Sequence, residues 1–357
     1  MKNFDRILVT GGAGFIGGAL IRRLLKETNS KIYNLDKMGY ASDLISIQRL
    51  KEARERHTHM NIDLNNLAKT SDAINIADPD LIIHLAAESH VDRSIDNPSN
   101  FIESNIIGTF NLLEAAKEHW RGLTPKRKNL FRFYHISTDE VFGSLNIKED
   151  PFNEESNYSP RSPYSATKAS SDHLVRSWNH TYQFPTLISN CSNNFGPWQF
   201  PEKLIPVVIL KALKGEPIPL YGDGKNIRDW LYVEDHIDAI MLIANSNEIG
   251  STYCIGGSNE ISNKEVVNII CNILNEIKPT SFDYSSLITQ VKDRPGHDKR
   301  YAINSNKLKN QLGWEPKESF ENAIRTTISW YLNNEEWCEE VLRRSNYQSQ
   351  RLGINNF

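Results

Sequence analysis

Cysteines, long apolar runs and blocks of one charge are all scarce in this sequence, and each scarcity excludes a class of protein. The four cysteines among 357 residues have no Cys-x-x-Cys spacing, so they suggest neither a disulfide framework nor a zinc ribbon and fit a reducing cytoplasm. No apolar run approaches the roughly 18 residues that span a bilayer, and the chain passes from Met1 and Lys2 straight into a strand pattern, so we expect neither a signal peptide nor an anchor. Lysine and arginine total 41 against 44 acidic residues, without a basic tail that would attract nucleic acid or a membrane.

Apolar runs of strand length alternate with helical patterns through the first half of the chain. The runs cover residues 7–9, 32–35, 81–83, 131–136 and 186–188, and helices are predicted over 18–26 and 102–120. Alternation of this kind is typical of βαβ units and predicts an α/β fold with a Rossmann-type, doubly wound parallel sheet. The helix over 102–120 carries Ile106, Phe110, Leu113 and Ala116 at helical spacing, so this apolar face must pack against something.

The length predicts two domains, because single cores stop growing at roughly 250–300 residues. Beyond residue 190 the connections become rich in proline and glycine, which indicates a smaller, discontinuous α/β substrate-binding domain. We assign 1–190 to the Rossmann domain, to which 229–258 and part of 307–335 return. Residues 191–228 and 259–306 are assigned to the smaller domain, and 336–357 to a C-terminal tail.

A glycine-rich loop follows the first strand and opens the first helix, which is the context that makes such a loop meaningful. Gly11, Gly14 and Gly17 give the spacing G-x-x-G-x-x-G, which allows a tight turn and the close approach of a pyrophosphate to the helix N-terminus. Asp36, at the end of the second strand, suits the ribose hydroxyls and would repel the 2′-phosphate of NADP, so NAD is favoured. A turn-forming role for Asp36 is the alternative.

Two further segments follow strands and could meet the dinucleotide. Asp63 comes after the third strand pattern, where it could contact the adenine, and Leu85, Ala86 and Ala87 follow the fourth, where small residues let backbone approach the cofactor. Ordinary packing at a strand end explains either segment equally simply.

Tyr164 and Lys168 form a Tyr-x-x-x-Lys pair after the fifth strand. On a helix they are i and i+4, so they share a face, and the ammonium is expected to lower the pKa of the phenol so that it can act as a base. Thr138, at the C-terminal end of the fifth strand, can hydrogen-bond the reacting hydroxyl. A surface Tyr-Lys pair without function is the alternative.

Asp139 and Glu140 follow Thr138 directly, and in a random context they would be a solvated acidic loop. Beside an alcohol-oxidising centre they provide an acid and a base. Once carbon 4 of a sugar is a ketone, the proton on carbon 5 becomes acidic, and loss of the carbon 6 hydroxyl needs only an acid and a base at short range. The sequence therefore predicts a dehydratase that borrows a redox cofactor.

Several segments in order carry a family resemblance over nearly the whole chain. They include Ala87 to Ser94, Ser137 to Gly143, the helix from Tyr164, Ser192 to Pro197, Arg228 to Trp230 and Asp293 to His297. The sequence resembles the dTDP-glucose 4,6-dehydratase family of extended short-chain dehydrogenases/reductases. The resemblance implies a cytoplasmic, homodimeric lyase of deoxysugar biosynthesis, of the kind that supplies rhamnose and other sugars of cell-surface polysaccharides, with the dimer formed through paired long helices that include 102–120.

The resemblance also implies residue roles. Tyr164 would be the base for oxidation, Asp139 the acid for the leaving hydroxyl and Glu140 the base at carbon 5. The NAD site would be lined by Phe15, Ile16, Asp36, Lys37, Asp63, Leu64, Ala86, Ser89, Ser104, Lys168 and Asn194. The nucleotide sugar would be held by Ser89, Thr138, Asn193, Lys203, Leu204, Pro219, Tyr221, Arg228, Asn263, Arg294 and His297.

Several alternatives stay open at this point. The substrate could be CDP-glucose or GDP-mannose, the enzyme could be a 4-epimerase or decarboxylase on the same scaffold, or the chain could be a non-catalytic NAD-binding regulator. Arg228 and Arg294 could form structural ion pairs with Asp229 or Asp293. His297 and the pair His57 and His59 have no companion cluster, so we interpret them as solvated and expect no metal site.

Overall fold

The computed structural model describes residues 4–345 and 347, which form two lobes. The large lobe contains a seven-stranded, wholly parallel sheet in the order β10-β6-β5-β4-β1-β2-β3. Its strands are β1 Arg6–Thr10, β2 Lys31–Leu35, β3 His57–Met60, β4 Leu81–His84, β5 Arg132–Thr138, β6 Thr186–Cys191 and β10 Thr252–Ile255. The Rossmann-type sheet predicted from the alternating pattern is therefore confirmed.

Helices cover both faces of this sheet, which is why its central strands are apolar and buried from end to end. The helices of the first half are α1 Phe15–Glu27, α2 Ile45–Gln48, α3 Ala53–Arg56, α4 Leu67–Ala77, α5 Val91–Asp96, α6 Pro98–Phe101, α7 Gly108–Gly122, α8 Pro125–Leu130 and α9 Pro163–Tyr182. One apolar cluster packs α1 and α11 (Val233–Ala244) against the sheet, and another packs α4, α7 and α9 against it. The strand order reverses between β1 and β4, and ligands bind such sheets at the carboxyl ends of the strands beside this point.

The smaller lobe combines two short sheets with four helices. The sheets are β11-β9-β7 and β12-β8, formed by β7 Asn193–Phe195, β8 Ile218–Tyr221, β9 Ile227–Tyr232, β11 Glu260–Ser262 and β12 Ile288–Val291. The helices are α10 Leu204–Leu213, α12 Asn263–Ile277, α14 Phe320–Leu332 and α15 Glu335–Ser345, while α13 Asn306–Leu312 packs with the large lobe.

The chain passes between the lobes several times. Strand β10 joins the large sheet, but β9 belongs to the small sheet, so the segment 229–258 is divided between the two lobes. Residues 307–335 are divided too, because Leu308 and Trp314 pack in the large lobe and α14 in the small one. The stretch predicted as a tail begins with α15, whose Trp337 and Val341 are buried. Beyond residue 345 the structure describes Tyr347, and the other residues of the predicted tail lie outside the described ones.

The predicted helix over 102–120 is interrupted by a π-helical segment at Ile102–Ile107, which leads into α7. Its apolar face is also divided. Leu113 and Ala116 are fully buried in this chain's own core, whereas Ile106 is half-buried and Phe110 is exposed. The exposed Phe110, with the neighbouring exposed Ile102 and Ile107, remains available for a partner.

Candidate active site

The glycine-rich loop lies between β1 and α1 and brings two backbone segments into close contact. A Cβ atom on Gly11 would lie 2.6 Å from the backbone nitrogen of Ala86, and one on Gly17 would lie 2.3 Å from the carbonyl oxygen of Gly11. Gly11 also has a φ of +71°, which side chains other than glycine's rarely allow. The first N–H groups of α1 have no partner within the helix, so the loop is a cradle suited to a pyrophosphate.

Asp36 is buried at the end of β2, and its carboxylate holds the following turn. One oxygen accepts from the N–H of Ala13 at 3.0 Å, and the other accepts from the N–H of Met38 at 2.8 Å and the hydroxyl of Ser42 at 3.0 Å. The turn-forming role considered from the sequence is therefore real. It does not displace the other interpretation, because Asp36 also lines the cavity next to the glycine loop.

One cavity extends from the glycine loop to the ends of β5 and β6. Every residue predicted for the cofactor lines it: Gly11, Gly14, Phe15, Ile16, Gly17, Asp36, Lys37, Asp63, Leu64, Leu85, Ala86, Ala87, Ser89, Ser104, Tyr164, Lys168 and Asn194. Two of them are fixed by neighbours. The ammonium of Lys37 lies 2.8 Å from the hydroxyl of Ser104, and the amide oxygen of Asn194 lies 2.8 Å from Nδ1 of His236.

Thr138 ends β5, and Asp139 and Glu140 begin the 3₁₀ turn Asp139–Phe142 that follows it. The hydroxyl of Thr138 accepts from the N–H of Glu140 and donates to Oδ1 of Asp139, both at 3.3 Å. Asp139 is 1 % exposed, and its Oδ2 has no hydrogen-bond partner within the described chain. A solvated acidic loop is therefore the wrong interpretation of Asp139.

The two adjacent carboxyls have different electrostatic surroundings. Burial raises the pKa of Asp139 well above its usual value, and the charges of Glu140 and Asp229 raise it further. Burial also raises the pKa of Glu140, but the positive charges of Arg294, Arg228 and Lys203 oppose that shift. The pKa of Asp139 is therefore raised further than that of Glu140, so Asp139 is the carboxyl of the pair that keeps its proton more readily, as one acid and one base require.

Tyr164 and Lys168 line the same cavity from the first turns of α9, but they interact differently from our expectation. Burial and the charge of Glu140 raise the pKa of Tyr164 well above its usual value. The ammonium of Lys168 donates to the carbonyl of Ile136 at 2.9 Å and lies 3.4 Å from Nε2 of His135. The predicted lowering of the tyrosine pKa by Lys168 is therefore wrong, because burial and the charge of Glu140 determine the direction of the shift.

The chain is similar to known proteins over nearly its whole length. The GDP-mannose 4,6 dehydratase family model matches residues 8–327. The dTDP-glucose 4,6-dehydratase of Salmonella typhimurium is 50% identical over 352 residues, which cover 96% of this chain and 97% of the relative. The chain belongs to the dTDP-glucose 4,6-dehydratase family.

Solved structures of the family and of its relatives have the same fold. The dTDP-glucose 4,6-dehydratase of Bacillus anthracis, solved in complex with NAD, matches with a TM-score of 0.81 at 40% identity and covers 94% of this chain and 99% of its own. A UDP-glucose 4-epimerase of Thermus thermophilus, also in complex with NAD, matches with a TM-score of 0.80 at 25% identity, over 92% of this chain and 99% of its own. The fold alone therefore does not separate dehydratase from epimerase.

The residues that the dehydratase family pattern predicted for the nucleotide sugar fall into two groups. Ser89, Thr138, Asn193, Lys203 and Leu204 line the cavity, and the ammonium of Lys203 donates to the carbonyl of Ser89 at 3.2 Å. The others lie outside the cavity lining, on or beside β8, β9, α12 and the segment after β12: Pro219, Tyr221, Arg228, Asn263, Arg294 and His297.

Neither arginine forms the ion pair that the sequence suggested as an alternative. Arg294 pairs with Asp92 at 2.9 Å, and the guanidinium of Arg228 lies 4.3 Å from the ring centroid of Tyr301. The carboxylate of Asp229 instead accepts backbone N–H groups of Gly257 and Asn259. Both cations remain within electrostatic reach of Glu140.

The histidines interpreted as solvated are more enclosed than we expected. The side chain of His297 is 6 % exposed, and its Nδ1 lies 2.6 Å from Oδ1 of Asp293. Burial and the charges of Arg294 and Arg228 lower the pKa of His297 to about 4. Burial and the neighbouring His59 lower the pKa of the half-buried His57 to about 4 as well. Across residues 4–345 and 347, no group of three or more His, Cys, Asp or Glu side chains could hold a metal ion.

A cluster at the cavity rim was not predicted from the sequence. Glu202 accepts from the hydroxyl of Tyr40 at 2.7 Å and from Nε of Arg93 at 3.2 Å, and the guanidinium of Arg93 lies 3.8 Å from the ring centroid of Tyr40. It joins the turn after β2 to the small lobe. The adjacent positions Asp92 and Lys203 had already been singled out from the sequence. Their place next to Arg93 and Glu202 is the signal by which this cluster could have been found.

Proposed function

We propose that this protein is a lyase that converts dTDP-glucose to dTDP-4-keto-6-deoxy-glucose and water, using NAD. The observation that carries the proposal is the pair of adjacent carboxyls whose pKa values are raised unequally, in one cavity with a Tyr-x-x-x-Lys pair and a glycine cradle. A protonated acid and an ionised base side by side are what elimination of water requires.

The cradle and Asp36 support NAD as the cofactor. The backbone contacts at Gly11 and Gly17, which line the cavity, leave no room for a side chain, and the carboxylate of Asp36 would repel a 2′-phosphate. When bound, NAD supplies a hydride acceptor for carbon 4 of the sugar and, after elimination, a hydride donor for carbon 6. No net oxidation results.

The residues of this chain move the protons. Tyr164, hydrogen-bonded to Thr138, would take the proton of the carbon 4 hydroxyl in its ionised form, which the positive charge of a bound nicotinamide would favour against the burial that raises its pKa. Glu140 then takes the proton from carbon 5, which the new ketone has made acidic. Asp139 gives its proton to the carbon 6 hydroxyl, which leaves as water. The empty hydrogen-bonding capacity of Oδ2 of Asp139 suits contact with that hydroxyl.

Three cations support a diphosphate substrate. Lys203, Arg228 and Arg294 all come close enough to lower the pKa of Glu140, and the substrate carries two phosphate groups that such cations would bind. The nucleotide is proposed as dTDP, because the curated relatives at about 50% identity over nearly the whole chain have that specificity in their names.

The proposal is tested by giving the purified protein dTDP-glucose without added NAD. We expect a product lighter by one water, at many turnovers per protein, with no net NADH. A product of unchanged mass would indicate an epimerase, and binding of NAD without turnover would indicate a regulator. CDP-glucose and GDP-mannose, offered in parallel, test the nucleotide specificity, and comparable turnover of either would contradict the assignment of dTDP.

A homodimer formed through paired long helices is also proposed. Ile102, Ile107 and Phe110 are exposed on one stretch of helix, although they are large and apolar, and a second copy would cover them. Light scattering of the wild type and of Phe110→Glu tests this, and a monomeric wild type would refute it.

We further propose the cytoplasm as the compartment, which the four buried free thiols support. Within the described residues, no helix is long and apolar enough to cross a membrane.

A further inference from the structure

A buried carboxylate, Asp172, lies behind the catalytic lysine and has no part in the mechanism above. It stands one helical turn after Lys168 on α9, and both residues are buried. Oδ1 of Asp172 lies 3.1 Å from Nε2 of His135, the same nitrogen that lies 3.4 Å from the ammonium of Lys168. Oδ2 accepts from the hydroxyl of Tyr158 at 2.7 Å and from the amide of Asn190 at 3.1 Å.

The imidazole between them is neutral. Burial and the charge of Lys168 lower the pKa of His135 to about 4, so the ring carries one N–H. Nε2 lies nearer to Asp172 than to Lys168, while Nδ1 of the ring and Oδ1 of Asp172 have no hydrogen-bond partner among the described residues. His135 therefore lies between the carboxylate and the lysine without adding charge of its own.

The titratable groups that face Lys168 come from its own helix and from three strands. They are Tyr164 and Asp172 on α9, His135 on β5, His84 on β4 and Cys191 on β6. Burial holds Tyr164, Cys191 and both imidazoles in their neutral forms. Asp172 differs: burial opposes its ionisation, but its hydrogen-bond partners and the charge of Lys168 lower its pKa below the usual value. It is the one anion in this set.

We propose that Asp172 is a positioning residue for the reaction, a buried counter-ion that keeps Lys168 charged while its ammonium donates to the carbonyl of Ile136. This inference rests on the proposed function, because it assigns a task to the lysine of that site. The same carboxylate reaches the other side of the site, since the amide of Asn190 that donates to Asp172 also donates to the carbonyl of Thr138 at 3.1 Å. Asp172 thus connects the lysine to the strand end that carries the acid and the base.

The test is the pH profile of kcat for Asp172→Asn with saturating dTDP-glucose. Burial already lowers the pKa of Lys168, and Asp172 is the first group that opposes this. Loss of the negative charge should therefore let the ammonium lose its proton at lower pH. We expect the alkaline limb of kcat to move to lower pH by about one unit or more, with KM changed less than about twofold. Asp172→Glu, which keeps the charge, should restore the limb.

Two further variants keep the test decisive. Asp172→Ser leaves room for a water and is the substitute if Asp172→Asn does not fold. Asp80→Asn is the matched control, because Asp80 is an equally buried carboxylate paired with Arg127 at 2.8 Å, outside the site. It should leave the limb in place.

The inference would be overturned if the variants at Asp172 lost kcat equally at every pH while the alkaline limb stayed in place. Asp172 would then have a merely structural role. That outcome is distinct from failure of the proposed function, in which the wild type itself would not dehydrate dTDP-glucose.

Discussion

His236 provides a quantitative test of how burial controls protonation in this fold. Its ring lies on α11 with no exposed surface. Nδ1 is 2.8 Å from the amide oxygen of Asn194, and Nε2 has no partner among the residues that the structure describes. Burial alone lowers the pKa of His236 to about 3. No other charge contributes, so the consequence for stability follows from one group.

The sign follows from linkage. A histidine in the unfolded chain has a pKa of about 6.5, so between that value and about 3 the unfolded state binds a proton that the folded state does not. The stability that the neutral ring contributes is complete above pH 6.5 and is lost as the pH falls towards 3. Between pH 7 and pH 5 the free energy of unfolding should decrease by about 2 kcal/mol through this residue alone.

We therefore expect His236→Gln to lose about 2 kcal/mol less stability than the wild type between pH 7 and pH 5. Urea unfolding at the two pH values, followed by tryptophan fluorescence, measures the difference. All other titrating groups are shared by the two proteins and cancel. His180→Gln, at an exposed position on α9, controls for the loss of a histidine. Equal losses in the wild type and in His236→Gln would refute the argument that the buried ring stays neutral.

Three further predictions concern the cofactor and the reaction. Gly17→Ala places a Cβ 2.3 Å from the carbonyl oxygen of Gly11. It should therefore lower the free energy of unfolding by about 1–3 kcal/mol, as measured by melting temperature. It should also yield protein without bound NAD, as measured by absorbance of the acid-released dinucleotide. Asp139→Asn should lower turnover by about 10²–10⁴-fold. Because oxidation at carbon 4 should persist, fluorescence of enzyme-bound NADH should appear on addition of substrate. Undiminished turnover would contradict the role of Asp139 as the acid. Asp36→Asn removes the charge that opposes a 2′-phosphate and should reduce the preference of the apoprotein for NAD over NADP by roughly tenfold, as measured by titration with both dinucleotides.

The large sheet was predictable because its central strands are short, contain apolar runs and are buried on both faces, as Phe133, Tyr134 and Ile136 of β5 illustrate. Its edge strand β3, which is polar and partly exposed, had no such signal. The small lobe was not predictable in detail. Its strands β7 and β11 have three residues each and carry no periodicity, so only their pairing with β9 defines them. The domain boundary predicted at residue 229 falls inside β9.

The positions of the catalytic residues were predictable, but their surroundings were not. Strand ends and the i, i+4 spacing bring Thr138, Tyr164 and Lys168 to one cavity. The partners of Lys168 are instead set by how α9 lies across β5, which brings the distant His135 against it. Spacing along the chain contains no such information, and this is why the effect of Lys168 on Tyr164 was overestimated.

The separation of dehydratase from epimerase follows from charge rather than from fold. A 4-epimerase matches this chain with a TM-score of 0.80, nearly that of a dehydratase, so a cavity of this shape is common to both chemistries. Elimination further requires that one of two neighbouring carboxyls keep its proton while the other loses it. Here burial raises the pKa of both carboxyls, and the charges of Glu140 and Asp229 raise that of Asp139 further, whereas Arg294, Arg228 and Lys203 lower that of Glu140; Arg228 also acts on Asp139. Asp229 and these three cations belong to the small lobe, so the lobe that would bind the nucleotide sugar also contributes to the difference between the two carboxyls.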